Sequence, residues 1–104
     1  MIEQVYSLSH TDEKTIARIL FDENINFIQM VLPQNEGLPI HNSNSTVYMT
    51  VVRGTLSIRL DEQEVRRYEA GTLLKIPNKT RMDVKNIDQP TLELFVVKAP
   101  APVA

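Results

Sequence analysis

His41 is the side chain in this sequence best suited to acid–base or metal chemistry, because an imidazole titrates near neutral pH and also binds transition metals. It lies in an alternating stretch from His41 to Val52, on the odd-numbered face. A histidine base needs a third group that orients its ring, and a metal site needs several donors. The odd-numbered face of this stretch carries neither Asp nor Glu. His41 therefore has no carboxylate partner on its own strand.

The elements that would position His41 are short strands. Strict alternation of side-chain polarity predicts strands that are half buried, and turn residues separate them, as at Arg53-Gly54 and Pro77-Asn78. Ile25–Leu32 is apolar on both faces and is expected to be covered on two sides. Thr15–Phe21 fits either a strand or a short helix, and a strand is favoured. This pattern predicts an all-β antiparallel sandwich or barrel.

Length and composition limit the possible functions. The 104 residues fit one domain, 1–104, and its Pro-containing end, 99–104, is expected to be a flexible tail. Eleven basic and thirteen acidic side chains give a net charge of −2, which disfavours nucleic acid as a partner. No apolar run is long enough for a membrane helix, and there is no cysteine. We expect a cytoplasmic protein without a membrane partner.

Two stretches, residues 35–54 and 71–86, follow the spacing of a known pair of motifs. The first motif has Gly, His, His, Glu and Gly at the positions of Asn35, His41, Ser43, Val47 and Gly54. The second has Gly, Pro, Gly, His and Asn at the positions of Gly71, Pro77, Lys79, Met82 and Asn86. In this spacing the chain resembles the cupin family, in particular small single-domain cupins of the conserved-barrel type.

The resemblance implies a jelly-roll barrel, also called a double-stranded β-helix, with a core over about residues 25–98. It also implies a homodimer, and the two-sided apolar strand Ile25–Leu32 is a further reason to expect one, because it needs cover on both faces. Cupins bind their metal through three imidazoles and a carboxylate. Of these four positions only His41 has a ligating side chain, since Ser43 is a weak donor, Val47 is none and the Met82 thioether prefers Cu(I). We therefore expect no metal and no other cofactor.

Three functions remain open. The favoured one is a metal-free, non-catalytic cupin that binds a small organic molecule or a partner protein in its barrel. The alternatives are a metal-independent isomerase-like or epimerase-like enzyme with His41 as its general base, and a metal-dependent cupin with unusual ligands around His41. A narrow open pocket is favoured over an interior filled by side chains. The predicted pocket residues are His41, Ser43, Ser45, Val47, Met49, Met82 and Asn86.

Overall fold

The chain folds into two antiparallel sheets that pack face to face. A computed structural model describes residues 1–103, which contain nine strands. The strands are β1 (Thr15–Phe21), β2 (Asn26–Pro33), β3 (His41–Asn42), β4 (Thr46–Arg53), β5 (Thr55–Leu60), β6 (Arg66–Glu69), β7 (Leu73–Ile76), β8 (Arg81–Lys85) and β9 (Thr91–Ala99). The first sheet has the order β1-β2-β9-β4-β7 and the second β3-β8-β5-β6.

The connectivity is that of a jelly roll. After β2 the chain crosses between the two sheets at every connection except β5 to β6, since β4, β7 and β9 belong to the first sheet and β3, β5, β6 and β8 to the second. The alternating residues of both sheets meet in one apolar core. Its buried members are Ile28, Leu32, Val47, Met49, Val51, Leu56, Ile58, Ile76, Met82, Val84, Leu92, Leu94 and Val96. The all-β jelly-roll prediction is confirmed.

The stretch 41–52, which alternation predicts as one strand, is divided between the two sheets. His41–Asn42 forms β3 in the four-stranded sheet, and Thr46–Arg53 forms β4 in the five-stranded sheet. The side-chain alternation continues through the connection, because Ser43 and Ser45 are buried and Asn44 is exposed. A period of two residues therefore hides the point at which the chain changes sheets.

The first two predicted strands are confirmed. Thr15–Phe21 is the edge strand β1, and β2 lies between β1 and β9. Neighbouring residues Val31 and Leu32 are both 0% exposed, so β2 is covered on both faces as predicted. On its outer face the N-terminal segment lies against the strand, where the Ser9 amide and carbonyl bond the Gln29 side chain at 2.8 and 2.9 Å. The chain itself therefore supplies part of the cover that had suggested a dimer.

The first residues of the C-terminal segment 99–104 contact the rest of the chain, and the flexibility expected of this segment stays a prediction. Ala99 belongs to β9 and pairs with Thr46. The amide of Ala101 donates to the carbonyl of Asn24 at 2.9 Å. Ala104, the last residue of the expected tail, lies outside the described residues. No helix capable of crossing a membrane is found in residues 1–103.

Candidate functional site

The turns of the motif pair have the backbone conformation that the spacing predicts. Asn35, Gly54, Gly71 and Lys79 stand where the family motifs have glycine, and their φ angles are 68°, 77°, 93° and 64°. Positive φ favours glycine because a side chain there meets the backbone. At Gly54 a Cβ would also collide with the Thr91 carbonyl. The frame of both motifs is therefore intact, although two of its four glycines have been replaced.

The interior positions of the motifs are packed rather than open. Val47, Met49 and Met82 are 0%, 2% and 4% exposed, and all three belong to the apolar core. Residues that line an open pocket remain accessible to solvent, whereas these do not. The barrel interior is therefore filled by side chains, as is common in small barrels. It does not contain the narrow open pocket that was favoured from the sequence.

The buried polar residues of the predicted pocket bond the backbone. The Ser43 hydroxyl donates to the Pro77 carbonyl at 2.8 Å and accepts from the Thr80 amide at 2.9 Å. The Ser45 hydroxyl donates to the Pro100 carbonyl at 2.5 Å. Such bonds satisfy groups that would otherwise be costly to bury, and they fix the loops around the barrel end.

Asn86 closes the second motif in the same way. Its side-chain amide donates to the Leu32 carbonyl at 2.8 Å and the Gln89 carbonyl at 3.0 Å, and its side-chain oxygen accepts from the Gln89 amide at 3.0 Å. The residue is 1% exposed. Asn86 therefore ties the end of β8 to β2 and to the turn before β9.

His41 is the one predicted pocket residue that reaches solvent. It lies on the two-residue strand β3, and its Nδ1 is 2.9 Å from the Pro39 carbonyl. Because a carbonyl oxygen only accepts hydrogen bonds, Nδ1 carries a proton in this contact. Within residues 1–103, no carboxylate forms an ion pair with His41. Ligand binding by the seven pocket residues stays a prediction, and it would require the packed interior to open.

The donor set at the four motif positions does not fit a transition metal. His41 is exposed, the Ser43 hydroxyl is engaged by backbone, Val47 has no donor and the Met82 thioether is buried among apolar side chains. Octahedral metal sites in proteins require several nitrogen and oxygen donors that converge. Among the described residues no three His, Cys, Asp or Glu side chains cluster in a way that could hold a metal ion.

Comparison with known proteins identifies the family. The uncharacterized protein MJ0764 of Methanocaldococcus jannaschii is 35% identical over 103 residues, which are 98% of this chain and 89% of the relative. The crystal structure of that protein, described as an RmlC-like cupin family protein with a double-stranded β-helix fold, matches with a TM-score of 0.95, over 98% of this chain and 94% of that one. The chain belongs to the cupin family.

Other solved structures share the fold of this cupin at low identity. A conserved protein with a double-stranded β-helix domain from Klebsiella pneumoniae is 14% identical, with a TM-score of 0.78 over 92% of this chain and 84% of that one. The SPY1581 protein of unknown function from Streptococcus pyogenes is 17% identical, with a TM-score of 0.76 over 99% and 93%. No family model matches the sequence.

A cleft outside the barrel holds the polar residues that the sequence analysis missed. This outer cleft has a volume of about 440 Å³ and lies between the N-terminal segment and the outer face of the five-stranded sheet. Its lining residues are Leu8, Ser9, His10, Thr11, Asp12, Gln29, Arg53 and Glu93.

Arg53 is the centre of the polar network in the outer cleft. Its guanidinium donates to Glu93 at 2.7 Å, to Asp12 at 2.7 Å and to the Thr11 carbonyl at 2.8 Å. The hydrogen bond to Asp12, followed by that to Glu93, raises the pKa of Arg53, so its charge is permanent. Gln29, which is 0% exposed, donates to the second Glu93 oxygen at 2.9 Å. The network joins the N-terminal segment to β2, β4 and β9.

One signal in the sequence could have pointed to this cleft. Gln29 and Glu93 are polar side chains inside two strands that are otherwise mostly apolar. Buried polar side chains in such strands need partners, and β2 and β9 are neighbours in the sheet. The partners Ser9 and Asp12 lie in the irregular N-terminal segment, which carries no periodic signal.

Proposed function

We propose that this cupin is a metal-free, non-catalytic binding protein, and that it binds a small organic molecule in the outer cleft rather than in the barrel. The observation that carries this proposal is the contrast between the two places. The barrel interior is filled by side chains. Val47 and Met82, which stand where the family motifs have metal ligands, are at most 4% exposed. The outer cleft has about 440 Å³ of space and polar groups from four segments of the chain, which is within the usual size of small-ligand sites.

The charges of the outer cleft favour a ligand with a cationic amine. Asp12 and Glu93 are two carboxylates, and Arg53 is one guanidinium. These three groups together leave one negative charge in excess. The Asp12 side chain is 76% exposed, so one of its oxygens can accept from a ligand while the other keeps its bond to Arg53. An anionic ligand would meet both carboxylates and is disfavoured.

The filled interior argues against the two alternatives. A general base at His41 needs an orienting carboxylate, whereas Nδ1 of its ring is hydrogen-bonded to the Pro39 carbonyl. A metal site around His41 would need donors that Val47 and Met82 do not provide. The supported role for the barrel is therefore a scaffold that fixes the outer cleft.

Titration calorimetry with simple amines tests the ligand class. Ethanolamine, putrescine and agmatine are compared with ethylene glycol and 1,4-butanediol, which have alcohol groups in place of the amines. We expect saturable binding by at least one amine and none by the alcohols. Asp12→Asn should weaken that binding roughly fivefold, corresponding to the ~1 kcal/mol upper range of an exposed ion pair.

Asp88→Asn is the matched control. Asp88 forms an ion pair with Arg67 at 2.7 Å, as Asp12 does with Arg53 at 2.7 Å, but it does not line the outer cleft. This variant should bind the amine like the wild-type protein. Equal loss in both variants, or no saturable binding by any amine, would contradict the proposal.

Elemental analysis tests the metal-free part separately. The protein purified without chelator should contain no stoichiometric transition metal, and titration with Mn²⁺ or Zn²⁺ should give the same heat for the wild type and for His41→Ala. Stoichiometric metal that disappears in His41→Ala would overturn this part of the proposal and leave the ligand test independent.

A further inference from the structure

A second cleft lies on the outer face of the four-stranded sheet, on the opposite side of the sandwich from the outer cleft. Its volume is about 320 Å³, which is enough for a small molecule. The side chains of Ile58, Met82 and Val84 point into the core, so the residues that alternate with them on β5 and β8 face this cleft. We call it the arginine cleft, and its lining residues are Ile40, Arg59, Asp61, Arg81 and Asp83.

The four charged side chains of the arginine cleft alternate in sign. Arg59 on β5 lies directly opposite Asp83 on β8. Two residues further, the Asp61 amide donates to the Arg81 carbonyl at 2.9 Å, and the Arg81 amide donates to the Asp61 carboxylate at 2.8 Å. Residues two apart on one face of a strand are separated by about 7 Å, so one small molecule can contact both pairs. Because the lining side chains carry no net charge, they favour a ligand with both signs of charge over a simple anion or cation.

The carboxylate of Glu62, in the turn after β5, lies between the two arginines. Its Oε1 accepts from Arg81 at 2.7 Å, and its Oε2 is 3.5 Å from Arg59. The Glu62 side chain is 80% exposed, and exposed ion pairs are weak, so a ligand can displace it. In the part of the chain that the structure describes, the Nη1 group of each arginine makes no hydrogen bond. Since guanidinium groups pair well with carboxylates, Glu62 marks the place where the carboxylate of a ligand fits.

Asp83 supplies a carboxylate that lacks a hydrogen-bond donor. Among residues 1–103, its Oδ1 is the one buried side-chain oxygen or nitrogen without a hydrogen bond. Its Oδ2 is 3.7 Å from the Lys85 ammonium, which is beyond hydrogen-bond range. Arg59 lies opposite but turns away, and its Nε donates to the Gln63 carbonyl at 3.0 Å. Because a buried carboxylate oxygen without a partner is costly, an ammonium group that enters the cleft would be a favourable donor to Asp83.

We propose that the arginine cleft binds a small zwitterion with one amine and one carboxylate, such as a free amino acid. The carboxylate of the ligand replaces that of Glu62 between Arg59 and Arg81. The amine of the ligand donates to Asp83, whose side chain is 23% exposed and lines the cleft. Ile40, which is 60% exposed, provides an apolar wall for the carbon skeleton. This site is separate from the outer cleft, and it does not depend on the function proposed for that cleft.

Titration calorimetry with leucine and γ-aminobutyrate tests the ligand class. Leucine is compared with isocaproate and isoamylamine, and γ-aminobutyrate with butyrate and propylamine, since each of these analogues keeps only one of the two charged groups. We expect saturable binding by at least one zwitterion and a dissociation constant roughly tenfold higher or more for its analogues, because each analogue leaves charges of the cleft unmatched. Amide chemical shifts in NMR spectra locate the site. They should change in β5 and β8 and stay constant at Gln29, which lines the outer cleft.

Glu62→Gln should bind the zwitterion more tightly than the wild type. It removes the carboxylate that competes for the two arginines, so the dissociation constant should fall roughly fivefold, the upper range for an exposed ion pair. Glu64→Gln is the matched control, because it removes the same charge from an exposed position that does not line the arginine cleft. It should bind like the wild type.

Asp83→Asn tests the amine contact by a change of preference. It should bind the zwitterion roughly fivefold more weakly and the carboxylate analogue more tightly, because the cleft then has one positive charge in excess. Circular dichroism of each variant establishes that it is folded. The proposal would be overturned if neither zwitterion binds saturably, if the shifts change only in the outer cleft, if Glu62→Gln and Glu64→Gln bind with equal affinity, or if Asp83→Asn keeps the preference of the wild type.

Discussion

His41 and Met82 are cross-strand partners on β3 and β8, and they point to the same side of the four-stranded sheet. Met82 is 4% exposed and part of the core, whereas His41 is exposed. In the motifs of the family both positions carry metal-binding histidines. In this chain Met82 lies in the apolar core and His41 lies at its edge. The strand register of the family's metal site is therefore present, but its metal-binding side chains are not.

The left-handed conformation of Lys79 provides a test of the intact frame. A side chain at φ 64° is strained, because L-residues disfavour this region by about 1–2 kcal/mol. We expect Lys79→Gly to raise the free energy of unfolding by about 0.5–1 kcal/mol, since the entropic cost of glycine offsets part of the gain.

Urea denaturation measures this change, with Lys85→Gly as its control. Lys85 lies in β8, where glycine weakens a strand, so the control should lose stability. A loss at position 79 as well would show that its conformation is not strained.

Ser43 should contribute to stability rather than to binding. Its hydroxyl makes two hydrogen bonds to the loop 77–80, and the residue is 4% exposed. We expect Ser43→Ala to lower the free energy of unfolding by about 1–3 kcal/mol, because it removes the side-chain acceptor of the buried Thr80 amide and one of the two side-chain donors to the Pro77 carbonyl.

Ser57→Ala is the matched control for Ser43→Ala. Ser57 is 2% exposed, and its hydroxyl has one long contact, 3.4 Å from Arg67. In the same urea experiment, Ser57→Ala should lower the free energy of unfolding clearly less than Ser43→Ala does. Equal losses in the two variants would show that the bonds of Ser43 have no special weight.

Acid should destabilise the fold through carboxylates that are hydrogen-bonded in the native state. The backbone amides of Ile25 and Asn24 lower the pKa of Asp22. Hydrogen bonds from Arg81 and Arg67 lower the pKa of Glu62 and of Asp88. Their contribution is complete above the ordinary values of 3.8 and 4.5 and is lost as the pH falls through the lowered native values, because the unfolded chain then binds more protons.

The pH effect can be measured from urea midpoints between roughly pH 6 and pH 3. Asp22→Asn keeps an oxygen for the Asn24 and Ile25 amides and removes the titrating group, so its midpoint should fall less steeply with acid. Glu64→Gln removes an exposed carboxylate that makes no hydrogen bond within residues 1–103, and it should follow the wild type. Identical slopes in all three proteins would refute this explanation.

The fold could be predicted because its signals are local. Alternation gave the strands, and residues such as Gly54, Gly71 and Asn35 have the conformational freedom that the turns require. The division of 41–52 between two sheets was not predictable, because the face pattern does not change where the chain crosses over.

The outer cleft could not be predicted because its contacts are distant in sequence. Arg53 bonds Asp12 across 41 residues, and Gln29 bonds Ser9 across 20 residues. The open pocket in the barrel was wrongly predicted for a different reason. Parity correctly placed Val47 and Met82 towards the interior, but it cannot show whether side chains fill that space.

The most direct test of the filled barrel is the unfolding free energy of two variants, Met82→Ala and His41→Ala, in urea. Met82→Ala should lower the free energy of unfolding by about 2–5 kcal/mol, because it leaves a cavity in the core. His41→Ala, at an exposed position, should lower it by about 0.5 kcal/mol or less. We predict this difference between the two variants. A Met82→Ala variant as stable as the wild type would contradict the account, because it would mean that Met82 lines an open pocket and not the core.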